Sequence, residues 1–236
     1  MSTPSGRREE IATRLARVRA RIAAACAEVD RDPGQVRLVV VTKFFPASDV
    51  RLLAELGVTD VGENRHQEAE QKAAECADLG LRWHFIGGLQ SNKAAAVAGY
   101  AHVVQSLDRR KLVAPLERGA ATRPEAIDCL LQVSLDPPEA DHRFGAPPSE
   151  LPELAAAVEA AAHLRLRGLM AVAPLDSDPA EAFSRLAAHH RELLIDHPEA
   201  TWLSAGMSGD LEHALRAGAT HVRIGSAVLG SRPRVK

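Results

Sequence analysis

Excess charge is the first thing this sequence lacks: 29 lysines and arginines stand against 31 aspartates and glutamates, a formal net charge of −2 at pH 7. No global basic field for nucleic acid or an anionic membrane follows, so any anion site must be local. Long apolar runs are missing too, and no stretch reaches the length that spans a bilayer. Met1 to Gly6 is short, polar and small, and the arginine-rich segment behind it has no signal-peptide core, so a soluble, cytoplasmic protein is expected. Of the three cysteines, Cys26, Cys76 and Cys129, none forms a C-x-x-C pair, and all read as reduced packing residues. The ten histidines make no H-x-x-x-H or H-E-x-x-H pattern, and His189 and His190 would point about 100° apart on a helix, so no metal site is expected.

What is present is alternation. Ile11, Leu15, Val18, Ile22, Cys26 and Val29 recur at three- and four-residue steps and predict a helix over Arg7–Val29, with its arginines on a solvated face. Strands are predicted at Leu38–Thr42, Val58–Val61, Trp83–Ile86, His102–Gln105, Ile127–Val133, Leu166–Leu169, Ala200–Leu203 and His221–Ile224, with helical pattern between them. The helix at Ala47–Leu56 is expected to be capped by Ser48 or a neighbour and ended by Gly57. Eight strand–helix units point to parallel strands covered by helices and, on closure, to an α/β fold of the (β/α)₈ TIM-barrel type. A doubly wound open sheet is the alternative, disfavoured because no G-x-G-x-x-G follows the first strand. No Gly/Ser-rich linker divides the chain. One barrel domain over 1–236 is expected, with an extra N-terminal helix over 7–30 and a tail at 231–236.

In such a barrel the chemistry lies at the carboxyl ends of the strands. The unbroken run Leu38-Val39-Val40-Val41-Thr42 ends in Lys43, which places a primary amine at a strand mouth, as Schiff-base chemistry requires. Taken alone, the stretch favours a lysine that merely closes a strand and snorkels to water; the rest of the chain reverses that reading. Glu63 and Asn64 follow the second strand. His84 lies in the third, ahead of Gln90-Ser91-Asn92-Lys93. Arg143 lies in the proline-rich loop after the fifth. The segments Ser204-Ala205-Gly206-Met207-Ser208-Gly209-Asp210 and Arg223-Ile224-Gly225-Ser226 follow the seventh and eighth. Small residues there let backbone N–H groups approach an anion, and a helix start adds partial positive charge, so a phosphate site is expected. Tight turns and an Asp210 cap would explain either loop by itself. His84 reads equally well as a satisfied core histidine. Lys93 could be a solvated charge or a transient phosphate contact, and Trp83 and Trp202 read as packing.

Val41-Thr42-Lys43, Gly62-Glu63-Asn64 with Gln67-Glu68, Trp83-His84-Phe85-Ile86-Gly87 with Leu89-Gln90-Ser91-Asn92-Lys93, Arg167-Gly168-Leu169-Met170, Leu203-Ser204 with Gly206-Met207-Ser208, and Val222-Arg223-Ile224-Gly225 together resemble the pyridoxal 5′-phosphate homeostasis protein family. Those proteins are single-domain relatives of the alanine racemase N-terminal barrel. The resemblance runs over nearly the whole chain. It implies pyridoxal 5′-phosphate as cofactor, held as a Schiff base on Lys43, with Asn64 beside the ring and Arg223 facing the pyridine nitrogen. It assigns the phosphate to Ser208, Gly225 and Ser226, in loops that also bring Ser204, Gly206 and Met207 to the site; His84, Lys93 and Arg143 are further candidates. Arg65 stands where the family commonly has tyrosine, and Ser226 where threonine is more usual.

An arginine at the pyridine nitrogen stays charged and leaves that nitrogen unprotonated, which weakens the ring as an electron sink. Racemisation would need a second acid/base opposite Lys43, and the one tyrosine, Tyr100, is predicted at a helix end. The expectation is therefore a carrier with little or no turnover and no confident catalytic residue, active in intracellular pyridoxal phosphate homeostasis. Its expected partners are the cofactor and apo-enzymes that use it, not nucleic acid or membrane, and it is expected to be a monomer or weak homodimer. The alternatives are an amino-acid racemase or related enzyme using His84, Arg143 or a partner subunit, and a cofactor-free barrel in which Lys43 condenses with a sugar phosphate.

Overall fold

In a computed structural model, residues 4–137, 144–175 and 177–231 are described. Eight strands close in chain order into one barrel, every neighbouring pair parallel: β1 (Arg37–Val41), β2 (Asp60–Glu63), β3 (Arg82–Phe85), β4 (Val103–Leu107), β5 (Ile127–Gln132), β6 (Leu164–Met170), β7 (Trp202–Ser204) and β8 (His221–Ile224). The helices are α1 (Pro4–Ala27), α2 (Ala47–Glu55), α3 (His66–Glu75), α4 (Ser91–Tyr100), α5 (Val113–Ala120), α6 (Leu151–Glu159), α7 (Pro179–Asp196), α8 (Leu211–Arg216) and α9 (Ser226–Leu229). The chain forms the expected closed barrel and not the open sheet. No described helix is long and apolar enough to cross a membrane.

Strand parity divides the core in two. Val40, Val61, Trp83, Val222 and Ile224 point outward and bury against the helices with Ile11, Leu15 and Val18 of α1. The inward set is unusually polar: Asp60, His84, Gln105, Ser204 and Arg223 are all buried. Gly62 belongs to it, because a Cβ there would sit 3.1 Å from Val39 Cγ1 and 3.3 Å from Ile86 Cδ1. The three cysteines are buried and unpaired.

Several sequence boundaries shift, for physical reasons. The second strand begins at Asp60 rather than Val58, since Asp60 is where the register with Val39 and Arg82 starts. Ser48 does not cap α2; Pro46 occupies that position with no side-chain cap. The arginines of α1 are not only solvated. Arg7 donates to both carboxylate oxygens of Asp49 (2.6 and 3.3 Å) and to the Leu229 carbonyl (3.0 Å), and Arg21 grips Glu212 (2.7 and 2.9 Å) and the Ser208 carbonyl (3.1 Å). Sequence periodicity gives a helix its apolar face but not the partners its polar face will meet.

Candidate functional site

The barrel mouth opens into a cavity of about 370 Å³, lined by Lys43 and Phe45 after β1, Asn64 after β2, Ile86 after β3, Val172 after β6, Met207, Ser208 and Gly209 after β7, and Arg223, Gly225 and Ser226 of β8 and its loop. Of the site residues read from the sequence, Lys43, Asn64, Met207, Ser208, Arg223, Gly225 and Ser226 thus share one space. Gly87 packs against Asn64: a Cβ there would lie 2.2 Å from the Asn64 carbonyl oxygen, so only glycine lets the β3–α4 loop abut this lining residue.

Ser204 and Gly206 lie just beneath the lining. The Gly206 carbonyl accepts the Arg223 N–H at 2.9 Å. Its backbone has φ +90°, and a Cβ would meet Ala214 Cβ at 2.7 Å, so the bend into α8 depends on glycine. The Ser204 hydroxyl accepts from Arg223 Nη1 at 2.6 Å, while Arg223 Nη2 donates to the Ala171 carbonyl at 2.8 Å. Both acceptors are neutral. Burial pulls the Arg223 pKa down to about 10, which leaves the guanidinium charged at neutral pH. A buried cation at a cavity wall whose hydrogen bonds go to a serine and a carbonyl is poised for one further acceptor from the cavity.

Below Arg223 runs a chain of hydrogen bonds that the sequence did not reveal. The Ser204 hydroxyl donates to Gln105 Oε1 (2.7 Å), the Gln105 amide meets His84 Nδ1 (2.9 Å), and His84 Nε2 meets Asp60 Oδ1 (2.8 Å). One assignment satisfies every link. The Gln105 amide donates to Nδ1, and Nε2–H then donates to the Asp60 carboxylate. Burial drives the His84 pKa down, which keeps the ring neutral in spite of Asp60. Burial also opposes ionisation of Asp60, but the bonds from His84 and Thr59 and the nearby Arg37 outweigh it and hold that carboxyl well below its usual range. His84 is accordingly a core residue of the barrel interior and does not line the cavity. The available signal was parity: His84 and Gln105 sit in step with the inward faces of β3 and β4.

Lys93 lies in the first turn of α4 and is not part of the cavity wall. Arg143 lies outside the described residues. Glu63, the neighbour of Asn64, turns outward toward α3 because adjacent strand residues face opposite sides. Tyr100 ends α4 outside the barrel, stacked on His66 at 5.9 Å, and burial raises its phenol pKa. Trp83 packs between barrel and helices, and Trp202 lies beside the Arg167 guanidinium, 4.5 Å from ring centre to carbon.

The family model of the alanine racemase N-terminal domain matches residues 14–233, which defines the class of this barrel. Within that class the chain is similar to the pyridoxal phosphate homeostasis protein of Mycobacterium leprae, 40% identical over 243 residues covering 95% of this chain and 93% of that protein. The protein of the same name from Pseudomonas aeruginosa is 44% identical over 226 residues, covering 94% and 96%. The chain belongs to the pyridoxal phosphate homeostasis protein family. Among solved structures it resembles PipY of Synechococcus elongatus, determined with PLP bound, at 35% identity and a TM-score of 0.79 over 93% of this chain and 100% of that one.

Proposed function

We propose that this protein binds pyridoxal 5′-phosphate in the barrel-mouth cavity, carries it as a Schiff base on Lys43, and serves cytoplasmic pyridoxal phosphate homeostasis with little or no turnover. The observation that carries the reading is the convergence, in one cavity, of an amine, a buried guanidinium that donates to a serine hydroxyl and a carbonyl and forms no ion pair among the described residues, and two loops of small residues. Relatives bearing the homeostasis name, and PLP in PipY, support the choice of ligand.

When bound, pyridoxal phosphate supplies an aldehyde able to condense with an amine and a ring able to withdraw electrons. Lys43 would provide the amine for that condensation, with water as the other product. The Ser208–Gly209 and Gly225–Ser226 segments provide backbone donors and hydroxyls for the phosphate. Arg223, positively charged, provides a donor to the ring nitrogen and cannot accept a proton there. Among the described residues, no carboxylate, histidine, tyrosine or cysteine lines the cavity beside Lys43 to act as a second acid or base, and this supports low turnover.

Borohydride reduction of the protein incubated with pyridoxal phosphate, followed by peptide mass spectrometry, is expected to find the pyridoxyl mass on Lys43 and to lose it in Lys43→Ala. An adduct elsewhere, or an unchanged adduct in the variant, overturns the assignment. Steady interconversion of alanine enantiomers that disappears in Lys43→Ala would replace the carrier with a racemase.

A further inference from the structure

Behind the strand end that presents Lys43 lies a buried charge cluster that the cavity does not include. Lys72 of α3 donates to three oxygens: the Thr42 carbonyl (2.8 Å), Glu63 Oε1 (2.7 Å) and Glu68 Oε1 (2.7 Å). Three acceptors match the three N–H bonds of an ammonium group. The side chains of Lys72 and Glu63 are 7% and 1% exposed, so the pair is out of water. The two carboxylates reach back to the residues on either side of Lys43. Glu63 Oε1 accepts from the Thr42 hydroxyl at 2.7 Å, and Glu68 Oε1 accepts from the Phe44 backbone N–H at 2.6 Å.

Those two contacts hold an unfavourable turn. The Phe45 N–H donates to the Thr42 carbonyl at 3.0 Å, closing a four-residue turn with Lys43 in second place. Its third residue, Phe44, has φ +71°, a left-handed conformation that glycine adopts freely and phenylalanine resists. The result is that Lys43 and Phe45 both face the cavity. A chain end free to choose would release the strained turn.

We propose that Lys72, with Glu63 and Glu68, is a positioning device that locks the Thr42–Phe45 turn and so aims the Lys43 amine into the cavity. The role rests on Lys43 being the attachment point. None of the three residues lines the cavity, so none is expected to touch the cofactor.

The discriminating probe is pyridoxine 5′-phosphate, which keeps ring and phosphate but carries an alcohol in place of the aldehyde and cannot condense with an amine. Glu68→Leu removes the acceptor for Phe44 N–H at a site whose side chain is 24% exposed, where folding should survive. That variant is expected to lower covalent attachment of pyridoxal phosphate about tenfold while pyridoxine 5′-phosphate affinity stays within about twofold. Hydrogen exchange at the Phe44 amide should accelerate in the same variant. Glu68→Gln, which keeps an oxygen acceptor, should restore most of the attachment, and Lys72→Met should resemble Glu68→Leu if it folds. Undiminished attachment in Glu68→Leu overturns the proposal, as does a parallel loss of pyridoxine 5′-phosphate binding, the mark of general loosening. A wild-type protein that binds pyridoxine 5′-phosphate yet forms no adduct at Lys43 overturns the attachment reading and this one with it.

Discussion

At the scale of single residues, the site is governed by how a guanidinium is held inside a barrel. Arg223 has two neutral partners, and one of them, Ser204, is also the upper end of the chain running through Gln105 and His84 to Asp60. The serine hydroxyl accepts from Arg223 through a lone pair of its oxygen and donates its own O–H to Gln105, so it serves both at once. Ser204→Ala removes both bonds and leaves a charged donor and an amide oxygen unpaired in the interior, at a cost of about 2–3 kcal/mol. Urea denaturation at neutral pH should report that loss. Thr42 and Glu63 illustrate the opposite case, polar residues that look idle in sequence and meet each other across two strands. Phe44 is the residue-scale anomaly. Left-handed backbone outside glycine costs about 1–2 kcal/mol, and here it is held by a carboxylate 24 positions later in the chain.

At the scale of elements, α1 is the piece whose role is hardest to foresee. Its apolar stripe packs on the barrel as periodicity predicts, yet its arginines act at a distance on the loops of the mouth. Arg21 fixes the Ser208 carbonyl and pairs with Glu212 on α8, and Arg7 ties the start of α2 to the end of α9. The Arg21 and Glu212 side chains are 36% and 30% exposed, so the pair contributes no more than about 1 kcal/mol to folding. Its effect on the loop should be the larger one. Arg21→Ala is expected to shift thermal unfolding by only a few degrees, and less at high salt, while weakening pyridoxine 5′-phosphate binding several-fold in calorimetry. Equal loss with and without salt would argue against this account of the helix.

Over the whole molecule, the polar barrel interior makes stability depend on pH. Burial, with the Arg37 guanidinium adding to it, pushes the His221 pKa down to about 3, and burial lowers His84 and His190 as well. The unfolded chain takes up these protons near pH 6.5 and the folded chain does not, so stability is full above that value and declines as pH falls toward 3. Each such proton contributes a slope of about 1.4 kcal/mol per pH unit. Asp60, held low, adds to the loss further down. Glu63 acts in the reverse sense: burial raises its pKa despite Lys72, so its ionisation works against the fold as pH rises. Urea unfolding followed from pH 7 to pH 4 should show the decline, and His221→Asn should flatten it by one proton; an unchanged slope in that variant would refute the assignment.

Eight apolar runs separated by amphipathic helices were enough to specify a closed parallel barrel, because each run must bury both faces and each helix only one. They were enough, too, to mark the ends of β1, β7 and β8 as the chemical rim, since an amine and clustered small residues stand out after apolar strands. Closure of the barrel decided the rest. It brought Lys43, Asn64 and Arg223 to one cavity, sent His84 to the interior and Glu63 to the outside, and set Lys72 and Glu68 behind the turn that aims the amine. Those assignments depend on strand register and on which helix lies against which loop, and hydrogen bonds between residues 20 to 100 positions apart leave no local pattern to read.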